Sequence, residues 1–390
     1  MLSADVIVVG LGAMGSAACR QLAARGVSVV GIDRYAPPHP WGSTHGDTRI
    51  TRLAIGEGRE YVPLARRSHE LWREIEADSG EQLLTETGIV VMGHRSSAFL
   101  AETRAAALQY GIEHRDLTND EVRSAYPMFA VGEQTVGYYE PAAGYVRPER
   151  AVAAQLTLAR RDGARLHLDE RVERWTAGRD GVTLVTDHET YTAGQVLLCA
   201  GPWIGELVPQ ARELVAVYRQ LLYWFPIRRH YAALRDMPAF VWDVGGQQEG
   251  FVHLDGFYGF PAIDGPDGGV KVATETYERT TTPDGRQHPA VPPETERMYR
   301  GCIAPYLPWL GDDPLRTVSC LYTCTRGSRF IIDRHPEHAA VLVVSACSGH
   351  GFKHSPAIGE AVAQWLTGQA PDIDLSPFTF ERCPPSAPAA

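Results

Sequence analysis

Along the chain, the first clear pattern is an unbroken apolar run, Val6 to Val9, with no alternation of polar and apolar positions. Such a run is the mark of a parallel strand covered on both faces, and it predicts a strand over Asp5 to Val9. A small-residue segment with helical spacing follows from about Met14 to Arg25, and a second apolar run, Val27 to Ile32, ends at Asp33. Together these predict one βαβ unit. Leu64, Leu71 and Trp72 share a side at helical spacing, which predicts a helix over Tyr61 to Ile75. The stretch between, Pro37 to Gly58, is rich in Gly, His and Pro and reads as a long loop.

Further on, Thr87 to Met92 reads as a strand, Pro148 to Arg161 as a helix, and Arg165 to Leu168 and Arg171 to Trp175 as short strands. Val182 to Thr186 and a partner near Thr190 form a meander. An apolar strand, Gln195 to Cys199, then runs into Ala200-Gly201-Pro202-Trp203. From Val215 to Glu278 the aromatics and β-formers, broken by turns at Gly245-Gly246 and Asp267-Gly268-Gly269, predict an antiparallel sheet. Val341 to Ala346 is a last buried strand, joined through Ser348-Gly349-His350-Gly351 to a helix over Ser355 to Leu366. The expected fold class is α/β combined with α+β: a Rossmann-like nucleotide domain with an inserted antiparallel-sheet substrate domain. The boundaries drawn are 1–80, 145–210 and 320–382 for the nucleotide domain, 81–144 and 211–319 for the substrate domain, and a disordered tail at 383–390.

Composition narrows this picture a little. The 390 residues suit two domains, and a net charge of -10 argues against a nucleic-acid or anionic-membrane binder, which needs clustered cations. The absence of a long apolar run or leader-like start points to a cytoplasmic protein. Seven cysteines stand without CxxC or metal-ligand spacing, so neither a disulfide framework nor a metal site is expected.

Gly10, Gly12 and Gly15 form G-x-G-x-x-G between the first strand and its helix. The first permits the tight turn, the second admits a pyrophosphate close to the backbone, and the third lets helix and strand pack. The helix N-terminus offers free N–H groups to phosphate, and Asp33 is placed to accept from ribose hydroxyls. This context points to a dinucleotide, NAD or FAD. His45, Arg49 and Arg52 lie in the following loop. On spacing alone a solvated basic loop is favoured there, and a buried structural role is favoured for Cys320.

The loop and several distant runs change that balance. HGDTR with GEGREYVPLA, then CLYT (Cys320 to Thr323), FIIDRHPEH (Phe330 to His338) and SGHGFK (Ser348 to Lys353) occur in order along the chain. In these runs the chain resembles the monomeric sarcosine oxidase and N-methyltryptophan oxidase family. The resemblance implies a p-hydroxybenzoate-hydroxylase-like architecture with FAD bound covalently through Cys320. It also implies a monomer that oxidises N-methyl amino acids with O2, giving an imine that hydrolyses and hydrogen peroxide. It implies that Arg52 and Lys353 hold the substrate carboxylate, with Tyr258, Glu275 and Tyr322 beside the substrate. Lys271 is expected over the opposite flavin face, promoting oxygen reduction, with Arg49, His45 and Tyr258 also at the reacting centre. Cofactor contacts are expected from Gly10, Gly12, Ala13, Met14, Gly15, Asp33, Arg34, Gly42, Ser43, Thr48, Arg49, Val172, Ala200, Gly201, Gly349, His350, Gly351 and Lys353.

Two departures stand out. Sarcosine oxidases of the family carry histidine four residues after the lysine, where this chain has Glu275, and residues are added around Gly245 to Gly250 and Asp264 to Gly268. Both bear on the substrate and leave the flavin chemistry unchanged. Other readings stay open on the residues: oxidation of a cyclic imino acid on the same scaffold, an NAD-dependent dehydrogenase, or a nucleotide-binding protein without catalysis.

Overall fold

The computed structural model describes residues 2–245, 256–277, 279–285 and 288–384. Its first sheet runs Val172–Gly178, Gly181–Thr186, Thr190–Leu198, Leu2–Val9, Val29–Ile32, Arg165–His167, with His338–Ser345 also parallel to Thr190–Leu198 and Ile331–His335 antiparallel at its edge. The unbroken apolar run behaves as its pattern requires. Val6 and Val8 enter one core with the helices Ala13–Ala24, Pro148–Arg161 and Ser355–Leu366, while Ile7 and Val9 enter a second core on the other face. Successive side chains of a strand point to opposite faces, so a strand covered on both sides admits no polar position.

Two glycines make the strand-to-helix turns possible. A Cβ on Gly15 would lie 1.8 Å from the Gly10 carbonyl oxygen, and one on Gly351 would lie 1.6 Å from that of Ala346. Each helix therefore packs against its strand more closely than any side chain allows. The two turns sit side by side, because Leu2–Val9 and His338–Ser345 flank Thr190–Leu198.

The second sheet runs Arg316–Thr325, Val215–Phe225, Val270–Thr274, Gly256–Gly259, Ala239–Asp243, Ile89–His94, Thr135–Glu140, Arg115–Leu117. Among the strands from Val215 to Thr274 the pairings are antiparallel as expected, but the sheet as a whole is mixed, since Ala239–Asp243 runs parallel to Ile89–His94. A three-stranded sheet of Arg49–Thr51, Gly144–Val146 and Leu84–Thr85 completes the β-structure. The strand in the expected loop was hidden because three residues carry no periodicity. The helices Ala98–Tyr110, Asn119–Ala125 and Pro292–Met298 were likewise not expected.

The boundary drawn at 320 is corrected. It cuts Arg316–Thr325, which pairs along its whole length with Val215–Phe225 of the second sheet. The limit at 383 moves too: Cys383 is buried, with its thiol 3.7 Å from the Phe330 carbonyl oxygen. The tail from 385, and the expected turn and added residues from Gly246 to Gly250, lie outside the described residues. No helix among the described residues is long and apolar enough to cross a membrane.

Candidate active site

A deep cavity runs from the N-terminal glycine turn to the second sheet, holding about 1840 Å³ of empty space with its mouth included. At one end it is bordered by Gly10, Gly12, Ala13, Met14, Asp33, Arg34, Val172, Ala200 and Gly201, and at the other by Arg49, Arg52, Tyr258, Glu275, Tyr322 and Lys353. Gly42, Ser43, Gly349, His350 and Gly351 lie between. Gly15, His45, Thr48, Lys271 and Cys320 do not border it. Gly15 is a packing residue, as its clash distance shows, and the other four form the layer behind the wall.

At the nucleotide end the geometry suits a dinucleotide. Asp33 Oδ2 accepts from the Leu11 N–H at 2.6 Å and Oδ1 from the Tyr35 N–H at 2.9 Å. The acid therefore ties the glycine turn as well as facing the cavity. Arg34 lies over the ring of Trp203 at 4.9 Å and pairs with Asp284 at 3.0 Å. Midway, Ser43 Oγ, Thr323 Oγ1 and His350 Nδ1 are buried and find no hydrogen-bond partner among the described residues. All three residues line the cavity. Buried polar atoms are otherwise almost always paired, so these fit a guest rich in hydrogen-bonding oxygens and nitrogens. FAD is such a guest. His350 Nε2 lies 3.0 Å from the Ser328 carbonyl oxygen, which requires the proton on Nε2 and leaves Nδ1 as an acceptor.

Behind the wall, Lys271 Nζ donates to the carbonyl oxygens of Gly46 at 2.5 Å and Thr48 at 2.9 Å, and to Thr48 Oγ1 at 3.1 Å. Its register opposite Trp224 places it there, and it faces the rings of Phe260 at 4.8 Å and Trp224 at 5.5 Å. Three acceptors match the three donors of an ammonium, while burial and neighbouring Arg49 pull its pKa well below the usual lysine value. Burial, Arg49 and Lys271 likewise lower His45 to about 3, so that imidazole is neutral.

Cys320 lies opposite Gln220, with Arg49 Nη2 3.6 Å from its sulfur. Burial outweighs the pull of Arg49 and Lys271, and the thiol is pushed above its usual value. Tyr322, two residues on, brings its hydroxyl 3.4 Å from that of Tyr258.

The expected cation pair is a triad. Arg52 follows the strand Arg49–Thr51, and Lys353 sits in the short turn Gly351–His354. Between them is Glu57, which the sequence reading did not single out: it accepts from Arg52 Nη2 at 2.6 Å and stands 3.9 Å from Lys353 Nζ. Arg52 and Lys353 hold this carboxyl down at about 2 against the opposing effect of its burial. Arg52 also donates to the Ala54 carbonyl oxygen at 2.6 Å. A second missed carboxylate, Glu140, accepts from the Leu53 and Ala54 N–H groups at 2.6 and 3.1 Å and so shapes the segment carrying Arg52. Only an acid five residues beyond Arg52 signalled Glu57 in advance. The triad carries one net positive charge, enough to receive one carboxylate.

These features agree with the relatives of the chain. It matches the family of FAD dependent oxidoreductases over residues 5–365. It is 40% identical to a monomeric sarcosine oxidase of Streptomyces avermitilis, over 93% of this chain and 94% of that one. It is 33% identical to an N-methyl-L-tryptophan oxidase of Salmonella heidelberg, over 97% and 98%. The fold is that of the open form of NikD, an unusual amino acid oxidase, with a TM-score of 0.84 at 24% identity over 100% of this chain and 99% of that chain. A glycine turn built for a dinucleotide, continued in matching sequence to the C-terminal helix, places the protein among the FAD-dependent oxidoreductases, in the group of the monomeric sarcosine and N-methyl-L-tryptophan oxidases.

Proposed function

We propose that the protein oxidises the C–N bond of a secondary amino acid, foremost an N-methyl amino acid, with O2 as the final acceptor. The observation that carries this reading is the Arg52–Glu57–Lys353 triad at the end of the cavity, with its single unbalanced positive charge. The first sheet and its helices serve as a p-hydroxybenzoate-hydroxylase-like FAD domain, the second sheet as the inserted substrate domain, and the relatives' name supports a monomer. FAD, when bound, supplies the acceptor for the two electrons and the hydrogen removed from the substrate carbon.

Gly10, Gly12, Asp33, Arg34, Ser43, Thr323 and His350 would hold that cofactor. Arg52 and Lys353 orient the substrate by its carboxylate, since a guanidinium fork fixes both distance and plane. Holding the reacting carbon in place supplies a large part of the rate. Tyr258 and Tyr322 close the cavity wall against water.

In the same reading Cys320 would hold the cofactor through a thioether, with Arg49 as the cation that favours its thiolate. Cys320→Ala is expected to leave acid-precipitated protein colourless, where the parent pellet stays yellow. A yellow pellet from the variant would move the attachment elsewhere.

The activity is tested with sarcosine, N-methyl-L-tryptophan, proline and pipecolate, following anaerobic loss of flavin colour and peroxide in air. Bleaching by an N-methyl compound is expected. Preference for proline or pipecolate would favour oxidation of a cyclic imino acid, the reading that Glu275 at the substrate end keeps in play. A yellow protein that none of them bleaches would overturn the proposal.

A further inference from the structure

The triad leaves one titratable group at the substrate end without a task. Glu275 follows the strand Val270–Thr274 and borders the cavity, and its carboxyl is enclosed by protein. It retains some accessible surface and is one of the residues that line the cavity. Among the described residues its one hydrogen bond is long, from the Tyr277 hydroxyl at 3.3 Å. Glu57, by contrast, accepts a short bond from Arg52 at 2.6 Å and has Lys353 at 3.9 Å. A carboxyl enclosed with so little support is expected to have a partner that the protein itself does not supply.

We propose that Glu275 recognises the substrate's nitrogen: its carboxylate pairs with the ammonium, or accepts from the N–H, of an amino acid whose carboxylate is held by Arg52 and Lys353. This rests on the proposed reading of those two cations as the carboxylate anchor. The charges then close: Glu57 balances Arg52, the substrate carboxylate balances Lys353, and the substrate ammonium balances Glu275. The nitrogen must keep a hydrogen to make this contact in its neutral form. In that form the contact is open to a secondary amine and closed to a tertiary one.

The groups around Glu275 make the pairing dependent on pH. Glu57 and Tyr277 face it, as do Tyr258 of the neighbouring strand and Tyr322 and Cys324 of Arg316–Thr325, with Lys353 and Arg52 opposing. Burial, with Glu57 adding to it, raises the carboxyl to about 8. Below that value the free protein holds Glu275 protonated, so an ammonium ligand must expel a proton to bind. Its affinity therefore rises with pH up to about 8, whereas a ligand with a carboxylate alone needs no such release. Lys353, lowered to about 8, acts on both ligands alike and cancels in their ratio.

The test uses two ligands that lack an oxidisable C–N–H arrangement: 2-aminoisobutyrate, which has no α-hydrogen, and isobutyrate, which has no amine. Dissociation constants are read from the flavin absorbance change of the loaded protein. In the parent protein the amine is expected to improve binding on the order of tenfold at pH 8. The affinity ratio should fall toward pH 6.5 by up to about tenfold per pH unit. In Glu275→Gln that ratio should become independent of pH, and in Glu275→Leu the preference should vanish, with isobutyrate binding and flavin colour retained in both. An unchanged preference in the variants, or a pH-independent ratio in the parent protein, overturns the inference alone. Failure of the parent protein to bind either ligand overturns the carboxylate anchor, and the inference with it.

Discussion

Lys271→Met is expected to slow reoxidation by O2 on the order of 10²–10³-fold while leaving anaerobic reduction by the amine within about threefold. The lysine holds a positive charge at a fixed place, tied to Gly46 and Thr48 and enclosed by Phe260 and Trp224. Oxygen reduction begins with the transfer of an electron to a neutral molecule, and a preorganised cation stabilises the anion that forms. Amine oxidation transfers no electron to oxygen, so removal of the charge is expected to affect it far less. Burial and Arg49 lower the lysine's pKa, so reoxidation by the parent protein should slow at alkaline pH as the charge is lost, while the variant stays flat. The substitution also leaves the Gly46 and Thr48 carbonyls short of a donor, a cost of about 1–3 kcal/mol in stability. Stopped-flow traces of the two half-reactions decide the matter. Equal slowing of both would mean that Lys271 shapes the site and does not act on oxygen.

Arg52→Ala should raise KM for a carboxylate-bearing substrate about 10–100-fold, with a smaller fall in kcat. The loss has two parts. A charge-assisted contact to the carboxylate disappears, and Glu57 is left anionic where the carboxylate must sit, with only the longer 3.9 Å pairing to Lys353. Breaking one side of a buried ion pair costs about 3–5 kcal/mol, mostly through the stranded partner. Removing both sides costs less. The double variant Arg52→Ala with Glu57→Gln should therefore regain much of the lost thermal stability and part of the lost affinity. Thermal melts and steady-state kinetics of the single and double variants provide the check. A double variant no better than the single would remove Glu57 from the anchor. In the parent protein KM should rise above pH 8, because Lys353, lowered to about 8 by burial, loses its charge there.

Much of the architecture was legible in advance. The run Val6 to Val9 dictated a strand covered on both faces, and Gly10, Gly12 and Gly15 dictated the turn that follows, because periodicity and turn stereochemistry are local properties. For the same reason the helices at Tyr61, Pro148 and Ser355 were readable to within a few residues. The short strand Arg49–Thr51 and the parallel pairing of Ala239–Asp243 with Ile89–His94 were not. Three residues carry no period, and strand direction within a sheet depends on connections that composition does not encode.

At the active site the division falls between residue and partner. Sequence by itself determined the dinucleotide turn and, through its resemblance to known oxidases, singled out Arg52, Lys271, Cys320 and Lys353. Only the tertiary structure decided what each of them meets. It set Glu57 between two cations drawn from opposite ends of the chain, buried Cys320 deeply enough to outweigh Arg49, and turned Glu275 toward the cavity. Charge and burial act through space, across segments that hundreds of residues separate, and no local pattern records which of them will converge.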